Sequence, residues 1–151
     1  MLGHLTNEEI EQVLTTNLLG RVGCTDGDMV YIVPVNYVYD GQHIIAHSTE
    51  GQKIQMMREK PNVCFLVDEM LNMRNWRSVI AWGSFQEITD ELEKQKYMDL
   101  LWRKMLKLKV SETALPPHAF AKRPRERQPG YVKVVIWRIE LNKKTGRFER
   151  N

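Results

Sequence analysis

Arg21-Val22-Gly23-Cys24-Thr25, Met29-Val30-Tyr31-Ile32-Val33-Pro34-Val35-Asn36-Tyr37-Val38-Tyr39 and Gln42-His43-Ile44-Ile45-Ala46-His47 are three runs rich in β-branched and aromatic residues, separated by Asp26-Gly27 and Asp40-Gly41. Such runs favour strands, and Asp-Gly favours a tight turn because glycine accepts positive φ. The stretch therefore reads as three consecutive antiparallel strands. Pro34 interrupts the middle one. It has no N–H to donate, so the backbone there belongs at an edge, at a bulge, or against something other than a strand.

On the N-terminal side, Thr6 followed three residues later by Glu9 fits a capping box. Ile10, Val13, Leu14 and Leu18 then share one helical face, which predicts a helix over about Asn7 to Asn17 with Gly20 placed to end it. On the C-terminal side, Gly51 to Lys60 reads as a short helix stopped by Pro61, and Asn62 to Asp68 as a strand. Glu69 to Arg77 lacks periodicity and is expected to be a loop. Ser78 to Ile88 is β-like, with Gly83 as a bulge or a point of close approach. Asp90 and Glu93 open a second helix that runs to about Lys109, and Tyr131 to Leu141 forms a last strand before a turn at Thr145-Gly146. Six strands with two sizeable helices and a short one are neither a bundle nor an alternating βαβ pattern. A small antiparallel barrel with peripheral helices fits best.

The chain has 151 residues, 42% hydrophobic and 27% charged, the size and balance of one soluble globular domain. No apolar run reaches the roughly 20 residues of a membrane span, and no signal-peptide pattern opens the sequence, so a cytoplasmic protein is expected. Cys24 and Cys64 lie in apolar strands without metal or redox spacing and read as buried small hydrophobes. The net charge is +3, and the basic run around Arg123, Arg125 and Arg127 lacks the interleaved aromatics of single-strand binders, which argues against nucleic acid. His43 and His118 have no partners at ligand spacing, and no metal site is expected.

His47-Ser48-Thr49-Glu50-Gly51-Gln52-Lys53 is a strand end running into a helix N-terminus. Free backbone N–H groups, two hydroxyls and a lysine cation together suit a phosphate, although serine and threonine before a helix are also plain caps. Gly20-Arg21-Val22-Gly23, Val33-Pro34-Val35-Asn36-Tyr37, His47 to Lys53, Asn62-Val63-Cys64-Phe65 and Trp76-Arg77-Ser78-Val79, in this order and spacing, resemble the pyridoxamine phosphate oxidase-like superfamily of FMN-binding split barrels, particularly its nitroimidazole-resistance-protein-like branch. The resemblance covers roughly Leu5 to Arg147. It implies a mainly β, six-stranded antiparallel split β-barrel binding FMN. Tyr31, Ile32, Val33, Pro34, Val35 and Asn36 would run along the flavin ring, and His47, Ser48, Thr49 and Lys53 would surround the phosphate. Arg77 and Ser78 would reach the cofactor of a second subunit, making a homodimer a requirement of the site.

Two departures narrow the expectation. Gln52 precedes Lys53 where many oxidase members carry two adjacent basic residues, leaving one cation for the phosphate. The C-terminal Arg-Leu-His signature that holds pyridoxamine phosphate is missing from Tyr131 to Asn151, which argues against vitamin B6 synthesis. His47 is a candidate acid or base as well as a structural contact, because histidine is the side-chain type whose ordinary titration range lies near neutrality. Trp76 and Trp82 flank the interface segment and read as core or dimer packing, with ring stacking as the alternative. The resemblance implies an FMN-dependent oxidoreductase acting on a small electron-poor molecule such as a nitro compound, with NADH or NADPH as candidate reductant. The alternative is a non-catalytic flavin-binding or flavin-sensing protein, or a relative using haem or a deazaflavin in the same cleft. The proline-broken stretch Ser111 to Pro129 is long for a connection and is expected to shape substrate entry or to be a solvated loop.

Overall fold

The structure, a computed structural model, describes residues 1–107 and 133–151. Among these, the elements follow one another as β1 (Leu2–His4), α1 (Asn7–Thr16), β2 (Leu19–Thr25), β3 (Val30–Asn36), β4 (Val38–Tyr39), β5 (His43–Thr49), α2 (Gln52–Glu59), β6 (Asn62–Asn72), β7 (Asn75–Glu87), α3 (Glu91–Lys107) and β8 (Val134–Glu149). Every pairing is antiparallel, in the order β3-β2-β6-β7-β8-β5-β4, with β1 added to β8. β3 and β4 stand at opposite ends of this order, yet only Tyr37 separates them in the chain. One intervening residue bridges about 7 Å at most, so the sheet must curl until its ends meet. β3 then touches β5 with no ladder between them. That seam is the split of an antiparallel barrel.

Alternation assigns the two faces. Val22, Phe65, Val67, Ala81 and Trp137 point inward and are buried, and α1 and α2 join the same core through Val13, Leu14, Ile54 and Met57. A second core lies outside the barrel, where Tyr97, Met98, Leu101 and Met105 of α3 pack on Ile45 and Ile136. α3 thus covers the outer face of β5 and the start of β8. Over β3, β2, β6 and β7 the outer face carries exposed Ile32 and Ile80.

Local signals hold where chemistry is short-range. Glu9 N–H donates to Thr6 Oγ1 at 3.2 Å and Thr6 N–H to Glu9 Oε2 at 2.9 Å, completing the capping box. Gly27 and Gly41 take φ of 107° and 98° in their turns. Asp90 accepts from the Glu93 N–H at 3.0 Å and caps α3. Gly83 serves both expected purposes: the β7–β8 register slips there, and a Cβ would meet the Glu140 carbonyl oxygen at 2.1 Å.

Several expectations are corrected. The barrel has eight strands rather than six. The run from Met29 to Tyr39 splits at Tyr37, whose N–H donates to the Leu18 carbonyl at 2.9 Å. Glu69 to Arg77 is not a loop, because cross-strand pairing carries β6 and β7 out to Asn72 opposite Asn75. Thr145-Gly146 is not a turn, since β8 passes through it, held by β7, to Glu149. Gly20 does not end α1; it lies in β2, where a Cβ would strike the Phe65 ring at 2.2 Å. Cys64 is half-buried on the outer face, and His43 has a partner, Asp40, at 3.0 Å. His118, Arg123, Arg125, Arg127 and the Ser111 to Pro129 stretch lie outside the described residues.

Candidate functional site

The seam between β3 and β5 brings together two of the three segments singled out by sequence. β3 pairs with β2 alone, so its other edge has no ladder partner among the described residues. Pro34 sits opposite Arg21 on this edge strand, where its missing N–H costs the sheet little. The six residues of the β3 segment do not act alike. Ile32, Pro34 and Asn36 point outward, whereas Tyr31, Val33 and Val35 point into the core. A planar ring at this edge would meet the outward set and the free backbone.

β5 delivers His47, Ser48 and Thr49 to the start of α2. Ser48 is turned inward and buried, its hydroxyl accepting from Trp137 Nε1 at 3.0 Å. This bond ties the end of β5 to β8. His47 is half-buried on the outer side opposite Ile136, and Thr49 is exposed. Gly51 precedes α2 in an extended conformation with no side chain capping the helix among the described residues, and the first turn carries no acid. Among the described residues, the first N–H groups and the positive end of the helix dipole therefore have no side-chain cap and no first-turn acid to satisfy them.

Lys53 stands in that first turn, half-buried. Burial holds its ammonium below the usual lysine range, and the nearby Cys24 thiol acts weakly in the opposite direction. A cation already part-desolvated gains more from an anion than one in open water. Glu50, the acid nearest this point in sequence, is occupied: Arg58 binds it at 2.7 Å and binds Glu87 at 2.8 Å. Those hydrogen bonds hold both carboxyls below the ordinary range. The clamp joins residues eight and 29 positions apart, so no local sequence signal announced it. Exposed hydroxyl, uncapped helix start, half-buried lysine and a neutralised acid fit a phosphate group.

The third segment lies elsewhere in the chain. His47 pairs with Ile136 and Arg77 with Phe148, so the two sit at opposite ends of β8. Arg77 donates to Glu69 Oε2 and to Gln12 Oε1 at 3.1 Å, locking the β6–β7 hairpin to α1. Ser78 faces outward between Asp68 and Arg147. A cleft of about 190 Å³ opens at this far end, lined by Glu69, Leu71, Trp76, Arg77 and Glu149. No group of three or more metal-ligating side chains is assembled among the described residues.

Fold and site geometry together define an antiparallel split barrel with an anion-competent helix start at its seam. The sequence profile of the pyridoxamine 5'-phosphate oxidase family matches residues 6–147. The chain belongs to that family. A solved FAD-binding protein from Mesorhizobium loti is 30% identical, with 98% of each chain covered and a TM-score of 0.77. A candidate 5-nitroimidazole antibiotic resistance protein from Bacteroides thetaiotaomicron shares the fold at 23% identity, covering 98% of this chain and 87% of its own, with a TM-score of 0.73. An uncharacterized Rhizobium meliloti protein is 36% identical over 84 residues, and the match spans 56% of either chain. Among the described residues no helix is long and apolar enough to cross a membrane.

Proposed function

We propose that this chain is a flavin-dependent oxidoreductase that binds FMN at the β3–β5 seam, works as a homodimer and reduces a small electron-poor substrate such as a nitro compound. The observation that carries the reading is the α2 start: an uncapped helix N-terminus beside half-buried Lys53, with Glu50 neutralised by Arg58. Membership of the family and the likeness to a FAD-binding relative support a flavin there. When bound, the flavin supplies the electron transfer, so the protein need only hold and orient it.

In this reading the α2 N–H groups, Thr49 and Lys53 hold the phosphate. The outward residues Ile32, Pro34 and Asn36 and the open β3 edge hold the ring. Ser48, fixed by Trp137, sets the angle at which β5 enters the site. His47, on the outer face, is the candidate proton donor or contact to substrate. Arg77, oriented by Glu69 and Gln12, and the outward Ser78 beside it are the groups of that segment that would face a second chain's cofactor. NADH or NADPH is the proposed reductant, in a cytoplasmic setting.

The test begins with purified protein titrated with FMN, FAD and riboflavin. Tight FMN binding with weak riboflavin binding is expected, followed by anaerobic reduction with NADH or NADPH and reoxidation by a nitroaromatic. Equal affinity for riboflavin and FMN would overturn the phosphate assignment. A preference for FAD would extend the ligand beyond FMN, as the Mesorhizobium loti relative's description allows. Flavin binding without reoxidation by any acceptor would favour a flavin-sensing role.

A further inference from the structure

The cleft at the far end of β8 shares no residue with the α2 start and is built from three stretches distant in sequence. Glu69 and Leu71 come from the outer part of β6, Trp76 and Arg77 from the start of β7, and Glu149 and Arg150 from the end of β8 and the residue after it. Register brings them together, since Met70 opposes Trp76 and Trp76 opposes Glu149. The volume of about 190 Å³ lies below the roughly 300 Å³ at which pockets for drug-sized ligands begin. One ring with a short substituent is the size of ligand it can hold.

Charge pairing decides which kind of ligand. Four of the lining side chains are acidic or basic, and three of them are matched. Arg77 donates to Glu69 Oε2 at 2.8 Å. Arg150 donates to Glu9 Oε1 at 2.6 Å, and its guanidinium lies 4.1 Å from the centre of the Phe148 ring. That bond holds the Glu9 carboxyl below the ordinary range, so the charge of Arg150 is spent outside the cleft. Glu149 is the fourth. Among the described residues its side chain is bound by the Trp76 indole N–H alone, 3.2 Å from Oε2, and no cation pairs with it. Arg147, two residues back on the same face, stands opposite Ser78 and outside the lining.

The indole fixes this carboxylate without neutralising it, because a neutral N–H supplies a dipole and no charge. The second carboxylate oxygen keeps its lone pairs for another donor. Trp76 and Leu71 give the cleft apolar walls, and indole is the aromatic ring that attracts a cation best. An anion would be repelled by Glu149, and the two guanidiniums that could receive it are already bound. We propose that this cleft binds a small organic cation, an ammonium carried on a single ring or short apolar body, with Glu149 as its counter-ion and Trp76 and Leu71 against its apolar part. The site does not depend on the flavin reading, since every interaction it uses lies within one chain. A ligand held there ties the tip of the β6–β7 hairpin to the end of β8.

The test is isothermal titration calorimetry of the purified protein with three ligands of one shape, benzylammonium, benzyl alcohol and benzoate. Benzylammonium is expected to bind with a dissociation constant of about 1 mM, as suits so few atoms. Benzyl alcohol is expected to bind about tenfold more weakly or worse, and benzoate not measurably. Glu149→Gln keeps an acceptor for the indole and is expected to weaken benzylammonium binding about tenfold, to the level of the alcohol. Trp76→Leu is expected to weaken it about threefold or more, with far-UV circular dichroism to check folding; should it fail to fold, Glu149→Gln and the ligand series decide. Absence of benzylammonium binding, benzoate binding of equal strength, or an affinity that Glu149→Gln leaves unchanged would overturn the proposal. The series is repeated with FMN at saturation, where benzylammonium binding is expected to persist. Its loss would show that flavin fills the cleft and would sink the proposal, whereas a protein that binds benzylammonium and no FMN defeats the flavin reading and spares this site.

Discussion

Individual residues matter here where a missing or a single side chain leaves no substitute. Lys53 is the one lysine in the first turn of α2, and Gln52 before it adds no charge. Lys53→Ala is expected to weaken FMN binding about 10- to 100-fold, the worth of one charge-assisted hydrogen bond, and to remove the preference over riboflavin. Ligand titration measures both, and an unchanged unfolding midpoint shows that the loss is local. Gly83 is the converse case, since its place beside the Glu140 carbonyl has no room for a Cβ. Gly83→Ala must push backbone rather than a flexible side chain, so a loss of about 1–3 kcal/mol is expected in urea unfolding. The glycine signal was legible in sequence; the carbonyl that enforces it lies 57 residues away on β8 and was not.

Among the elements, α3 shows how a polar group can hold a helix in place at a cost that pH reveals. Lys104 reaches over the Tyr37 ring, 4.4 Å from its centroid, to the Asn17 carbonyl at the end of α1. Burial pushes its ammonium down to about 8. The unfolded chain keeps that proton up to about 10.4, so between these values the unfolded state binds more protons and stability rises with pH. Relative to Lys104→Met, wild type is expected to gain unfolding free energy from about pH 8 to about pH 10. Urea unfolding of both proteins across that range measures it, and a flat difference would show the amine to be solvated. Only the outer part of the β6–β7 hairpin, Glu69 to Arg77, departs from the loop its sequence predicts. Its sequence is irregular, but its backbone is tied residue by residue and Arg77 clamps it to α1 through Glu69 and Gln12.

At the scale of the whole molecule, flavin retention and assembly are expected to be linked. If the ring lies between a seam and a partner's Ser78, dilution that dissociates the dimer releases flavin, and saturating FMN at about 100 times its dissociation constant stabilises the fold by about 2.7 kcal/mol. Flavin fluorescence and mass followed through the same dilution series check the linkage; flavin held through dissociation would place the whole site in one chain. The sequence by itself determined what neighbouring residues decide: the strands around Asp26-Gly27 and Asp40-Gly41, the Thr6 cap, the edge character of Pro34 and the β5–α2 junction. These follow from φ preferences, capping chemistry and period-two alternation, all of which act over a few residues. Tertiary structure alone decided that β3 meets β5, that Ser48 turns inward to Trp137, that Arg58 neutralises Glu50, and that Arg77 binds Glu69 and Gln12. One sequence trace of the open face did exist, in Val63-Cys64-Phe65-Leu66-Val67 and Val79-Ile80-Ala81-Trp82, which are apolar on both faces. Such a run says that both sides are to be covered. What covers each side depends on how distant strands curl together, which no local preference encodes.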